Sequence, residues 1–174
     1  RSEIALSWGV SLVEKNTIVL RGNEMQGRGL IPVCAAFPHE AFHEAARQFS
    51  QVPPVCWWIE EGSAEYFRLM AMEEAQTGTL TALAGAAREK ISRARSIPDT
   101  RRLVNHAEAN KLGMDGFKPI YEMALLMVGN LTGGDFHRVV SFYRLLHDGI
   151  PEGHAFQQAF DVSLSTFMDR MNPF

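Results

Sequence analysis

The stretch AAFPHEAFHEAARQF, from Ala35 to Phe49, places His39 and His43 four residues apart with Glu40 directly after the first. With six histidines among 174 residues, chance would supply this H-E-x-x-H pattern about 0.02 times per chain of this composition, so coincidence is a weak explanation. On a helix, positions four apart share a face and lie about 6 Å apart along the axis, so both imidazoles can aim one ring nitrogen at a single divalent cation. That face also carries Phe42, Ala46 and Phe49, which makes it the face to be buried. Two buried imidazoles need partners, and a zinc ion would satisfy both. Two core histidines bonded to backbone or carboxylate are the bland alternative.

A second stretch, CWWIEEGSAEYFRLM from Cys56 to Met70, supplies acids. Trp58, Glu61, Gly62, Glu65, Leu69 and Met72 fall along one helical stripe. Carboxylates on an apolar stripe are costly unless paired, and ligation at Glu61 would remove that cost. Glu65, one turn on, can accept the remaining N–H of His39 and fix its tautomer. Gly62 lets two helices approach closely. Glu60 reads as the more solvated of the three acids, and Arg68 is available as a partner for any of them.

Together, HEAFH and WIEEGSAEYF resemble the gluzincin zinc peptidases, whose signature is H-E-x-x-H followed by W-x-x-E-G-x-A. The similarity is greatest to the aminopeptidase-like branch and the compact peptidase domains related to it. Seventeen residues separate His43 from Glu61, near that branch's usual gap. The resemblance implies that His39, His43 and Glu61 hold zinc and leave a fourth position for water. It makes Glu40 the general base, and a tyrosine some sixty residues beyond the glutamate ligand the oxyanion donor. Tyr121 stands there and Tyr66 is its competitor, with an ordinary core aromatic as the alternative for Tyr121. The metzincin pattern is excluded, because Ala46 and Phe49 occupy its glycine and third-histidine positions.

The expected activity is zinc-dependent hydrolysis of peptide bonds in peptides or proteins, by an endopeptidase rather than an exopeptidase. The alternative is a catalytically silent zincin-like domain used for binding or assembly. The compact relatives also imply an extracytoplasmic location, whether secreted, periplasmic or anchored. Two departures from the pattern stand out: Ser63 where a larger apolar residue is usual, and Asp161 where such tails often carry glycine. His106, His137, His147 and His154 have no ligand spacing and receive no role.

The elements that must position these residues read as mainly α, with a small N-terminal β-sheet or hairpin. At 174 residues and 46% hydrophobic, the chain suits one domain over 1–174, a piece of a longer protein since it opens on Arg1, with short strands in 1–33 and helices in 34–174. Trp8–Gly22 suggests a hairpin around Lys15-Asn16, and Gly27–Val33 an edge strand carrying Pro32. Helices are expected from Pro38, over Cys56–Ala75, Leu80–Ala94, within Ile97–Ala109, over Phe117–Leu131, within Gly133–Gly149, and over Glu152–Phe160 and Ser163–Met171. Net charge is −3, so no basic field points to nucleic acid, and no run reaches the length of a membrane span. Cys34 and Cys56 are either bridged or two buried thiols.

Overall fold

The computed structural model describes residues 9–12, 17–20, 30–49, 56–94, 96–114 and 119–171, with side chains from Ala36 onward. Its architecture is mainly α. Eight helices are described: α1 Leu30–Phe49, α2 Trp57–Glu74, α3 Leu80–Ser92, α4 His106–Met114, α5 Ile120–Thr132, α6 His137–His147, α7 Glu152–Phe160 and α8 Leu164–Arg170. A 3-10 turn over Thr100–Leu103 precedes α4. Ahead of α1, the backbone of Gly9–Leu12 (β1) pairs antiparallel with that of Thr17–Leu20 (β2), Gly9 opposite Leu20. The connection expected at Lys15-Asn16 lies outside the described residues.

Helix α1 begins earlier than its residue pattern suggests. Leu30–Val33, read as part of an edge strand, is the first turn of this helix, and Pro38, read as the helix start, lies inside it. The physical reason is that a short apolar run such as LIPVCAAF has no period that separates buried strand from buried helix. Pro32 is tolerated because a first-turn residue has no intrahelical N–H bond to lose. The segment Ile97–Ala109 is also divided. Asp99 caps the 3-10 turn by accepting from Arg101 N at 2.9 Å, and Asn105 Oδ1 accepts from Ala107 N at 2.8 Å to start α4 afresh.

Helix α2 runs through the middle of the core. Trp58 is fully buried and stacks on Phe167 of α8, while Phe142, Phe156 and Phe160 of α6 and α7 form an aromatic cluster beside it. Residues from distant parts of the chain satisfy the first amides of α2. Trp57 N donates to Val104 O at 3.0 Å, and Cys56 N donates to Glu152 Oε1 at 3.3 Å. Cys56 itself is a buried free thiol, and the side chain of Cys34 lies outside the described residues. Asp161, standing where glycine is usual, adopts the left-handed conformation at φ +58° that closes α7, and its carboxylate pairs with Arg138 at 2.5 Å. Among the described residues no helix is long and apolar enough to cross a membrane.

Gly62 decides how closely α2 meets α5. A Cβ there would lie 2.3 Å from the carbonyl oxygen of Ala124 and 2.8 Å from Val128 Cγ2. The close approach that this glycine permits is therefore to α5, not to the histidine-bearing helix α1. Because the nearest obstacle is backbone, side-chain rotation cannot relieve it. Gly62→Ala should cost about 3 kcal/mol or more in urea unfolding, despite alanine's better helix propensity. A variant as stable as the wild type would contradict this packing.

Candidate metal centre

His39 and His43 project from α1 toward the first turns of α2, where Glu60, Glu61 and Glu65 stand. The Nε2 atoms of the two histidines lie 3.1 Å apart. Glu61 Oε2 lies 3.3 Å from the first and 3.5 Å from the second. The three donor atoms thus form a nearly equilateral triangle. Tetrahedral zinc with bonds of about 2.0–2.1 Å requires ligand atoms about 3.3 Å from one another. The donor set is the nitrogen and oxygen set that such an ion takes, and each residue offers one ligand atom to a common point.

Behind the triangle, each imidazole is backed by a carboxylate. His39 Nδ1 lies 3.0 Å from Glu65 Oε1, and Glu65 Oε2 accepts from Arg68 Nη2 at 2.6 Å and Nε at 3.1 Å. His43 Nδ1 lies 3.5 Å from Glu60 Oε1. Both Nδ1 atoms are buried without an in-line hydrogen bond, so these contacts are close in distance but not yet aligned. Glu60, expected to be the solvated member of the three acids, is buried instead.

The electrostatics follow from this crowding. Burial pushes the His39 imidazole down, but Glu61 and Glu65 override it and raise its pKa to about 9. Burial likewise opposes protonation of His43, and Glu60 and Glu61 raise it to about 10. Burial pushes Glu61 up, but the two histidines hold it well below the usual carboxylate range. Glu65 is also lowered, by His39 and Arg68 against burial. With no metal bound, the carboxylates favour the protonated form of each imidazole, while the 3.1 Å approach of the two Nε2 atoms leaves room for a proton on only one of them.

The remaining expected residues fall around this centre. Glu40 is 8% exposed and has no ion-pair partner among the described residues. Tyr121, in the first turn of α5, stands over the site with its ring 6.4 Å from His39 and 5.4 Å from Trp57. It is 39% exposed, so it is not an ordinary core aromatic. Burial of its hydroxyl and the charges of Glu61, Glu65 and Glu40 raise its pKa, which keeps the hydroxyl a donor. Tyr66 stacks on Phe136 at 5.6 Å and faces away. Phe42 and Ala46 are buried as their face requires, but Phe49 is 46% exposed.

Two further groups at the site carry no sequence signal. His106 Nε2 lies 3.5 Å from Glu60 Oε2. The hydroxyl of Tyr143 is buried without a hydrogen bond, and burial together with the charges of Glu60 and Glu61 raises its pKa well above the usual value. Both arrive by long-range packing, which local spacing does not report. His137 and His147 are exposed, as expected.

Comparison of the chain with protein-family models, curated proteins and solved structures finds no match.

The raised histidines fix the sign of a pH effect. In chelator-treated protein their contribution to stability is fully present below the unfolded value near pH 6.5 and is lost as pH rises through about 9 and 10. The lowered carboxylates contribute above about pH 4.5. Urea unfolding of treated protein should therefore show falling stability from pH 6.5 to 10, a fall that His39→Ala with His43→Ala removes. A flat wild-type profile would contradict the charge assignment.

Proposed function

We propose that this chain is a zinc-dependent peptidase domain of the gluzincin type, with His39, His43 and Glu61 as the metal ligands. The observation that carries the reading is the Nε2–Nε2–Oε2 triangle, whose 3.1, 3.3 and 3.5 Å edges suit one tetrahedral zinc ion. The H-E-x-x-H spacing and the later E-G pair support it from sequence. On this reading the domain is zincin-like, and the paired segments 9–12 and 17–20 belong to its small N-terminal sheet.

Zinc, when bound, lowers the pKa of a water toward neutrality and polarises the scissile carbonyl. The chain's own residues do the rest. Glu40 neighbours His39 on α1, is buried close enough to Tyr121 for its charge to act on that hydroxyl, and serves as general base, taking the proton of the attacking water and passing it to the leaving amine. Tyr121 keeps its hydroxyl proton and donates it as a hydrogen bond to the developing oxyanion. Glu65, 3.0 Å from His39 Nδ1, would accept its proton and hold the ring once the metal is bound, with Arg68 fixing the carboxylate. The substrate is a peptide or an exposed protein segment, cleaved internally, and the location is extracytoplasmic.

The test is cleavage of an unbiased peptide mixture, blocked by a chelator and restored by zinc. Glu40→Gln should retain zinc and lose about 10²–10⁴ in turnover. Tyr121→Phe should lower kcat by about 10²–10³ with a smaller effect on KM. If wild-type protein loaded with zinc cuts nothing in the mixture, the reading gives way to a silent zincin-like domain. Undiminished activity in Glu40→Gln would remove the base.

A further inference from the structure

The two histidines of the triangle are backed alike, although the residues behind them differ. Behind His39 stands Glu65, whose outer oxygen Arg68 grips with two nitrogens. Behind His43 stands Glu60, whose outer oxygen faces His106 Nε2 at 3.5 Å. An imidazole that binds metal through Nε2 carries its proton on Nδ1, and a buried N–H needs an acceptor. Glu60 Oε1, 3.5 Å away, is the carboxylate oxygen that stands near His43 Nδ1 among the described residues. A carboxylate as buried as Glu60 needs a donor on its other oxygen, or the same charge is left uncompensated.

The backbone holds His106 where that donor is needed. Trp57 N donates to Val104 O at 3.0 Å, which ties the segment before α4 to the start of α2, three residues from Glu60. Asn105 then caps α4 through Ala107 N, so His106 opens the helix against that tie. Its ring is half exposed and contributes little to the core.

We propose that His106 is a positioning residue for the metal centre, acting through Glu60 on the ring of His43. The proposal rests on the zinc reading above. It gives a role to a histidine with no ligand spacing, and it makes the chain His43–Glu60–His106 the counterpart of His39–Glu65–Arg68.

The experiment measures the zinc dissociation constant of the full chain by competition with a chromophoric chelator. Glu60→Ala should weaken binding about tenfold to a hundredfold, and His106→Ala about tenfold. His106→Gln keeps an N–H donor at similar reach and should stay near wild type. Adding His106→Ala to Glu60→Ala should cost nothing more, because the two residues act in series. The unfolding temperature of chelator-treated His106→Ala should match that of the treated wild type. Wild-type affinity in His106→Ala, or a further loss in the double variant, would overturn the assignment. So would an equal loss in His106→Gln with lowered stability, which would mark a merely structural role. A wild-type chain that takes up no zinc would instead remove the metal reading itself.

Discussion

Glu61 holds one carboxylate oxygen within 3.5 Å of two imidazole nitrogens on a neighbouring helix, and all three side chains are largely withdrawn from water. Charges in such a place are tolerable only together. Remove Glu61, and both histidines lose the anion that favours their protonated form in the metal-free state. Remove either histidine, and a carboxylate held far below its normal range is left in a poorly solvated pocket. The position of α1 against α2 is tied to this mutual need, and a divalent cation would meet it better than protons do. A cation joins all three donors at one point, whereas protons leave two ring nitrogens facing each other at 3.1 Å.

Helix α2 serves this arrangement from two sides. One edge presents Glu60, Glu61 and Glu65 to α1, and the adjoining edge presses Gly62 against the backbone of Ala124. That contact brings α5 close enough for Tyr121 to stand over His39. The start of α2 is held by amide bonds to Val104 and Glu152, one before α4 and one in α7. Glu60 thus sits in the first turn of α2, where the backbone dipole favours negative charge. Packing that looks remote from the chemistry fixes the angle at which the carboxylates meet the histidines.

Much of the centre was legible because it is local. The four-residue spacing of His39 and His43 fixes their common face, and the acids of α2 were marked by their apolar neighbours. Asp161 shows a rule kept by a substitute, since a short polar side chain can occupy the left-handed position where glycine is usual. The start of α1 is not legible, because a short apolar run has no period that separates buried strand from buried helix. Gly62 was recognised as a close-approach residue, but its partner helix was not, since a glycine does not say what it faces. His106, the burial of Glu60 and the unpaired hydroxyl of Tyr143 depend on contacts between distant segments. No periodicity encodes those.

The most direct measurement is native mass spectrometry of the purified chain with zinc added at neutral pH, beside His39→Ala and Glu61→Gln. The account predicts one zinc ion per wild-type chain, and loss of that ion in both variants while each remains folded. A wild-type chain that takes up no zinc, or variants that hold it as firmly, would contradict the three-donor centre and leave a helical domain with two buried histidines.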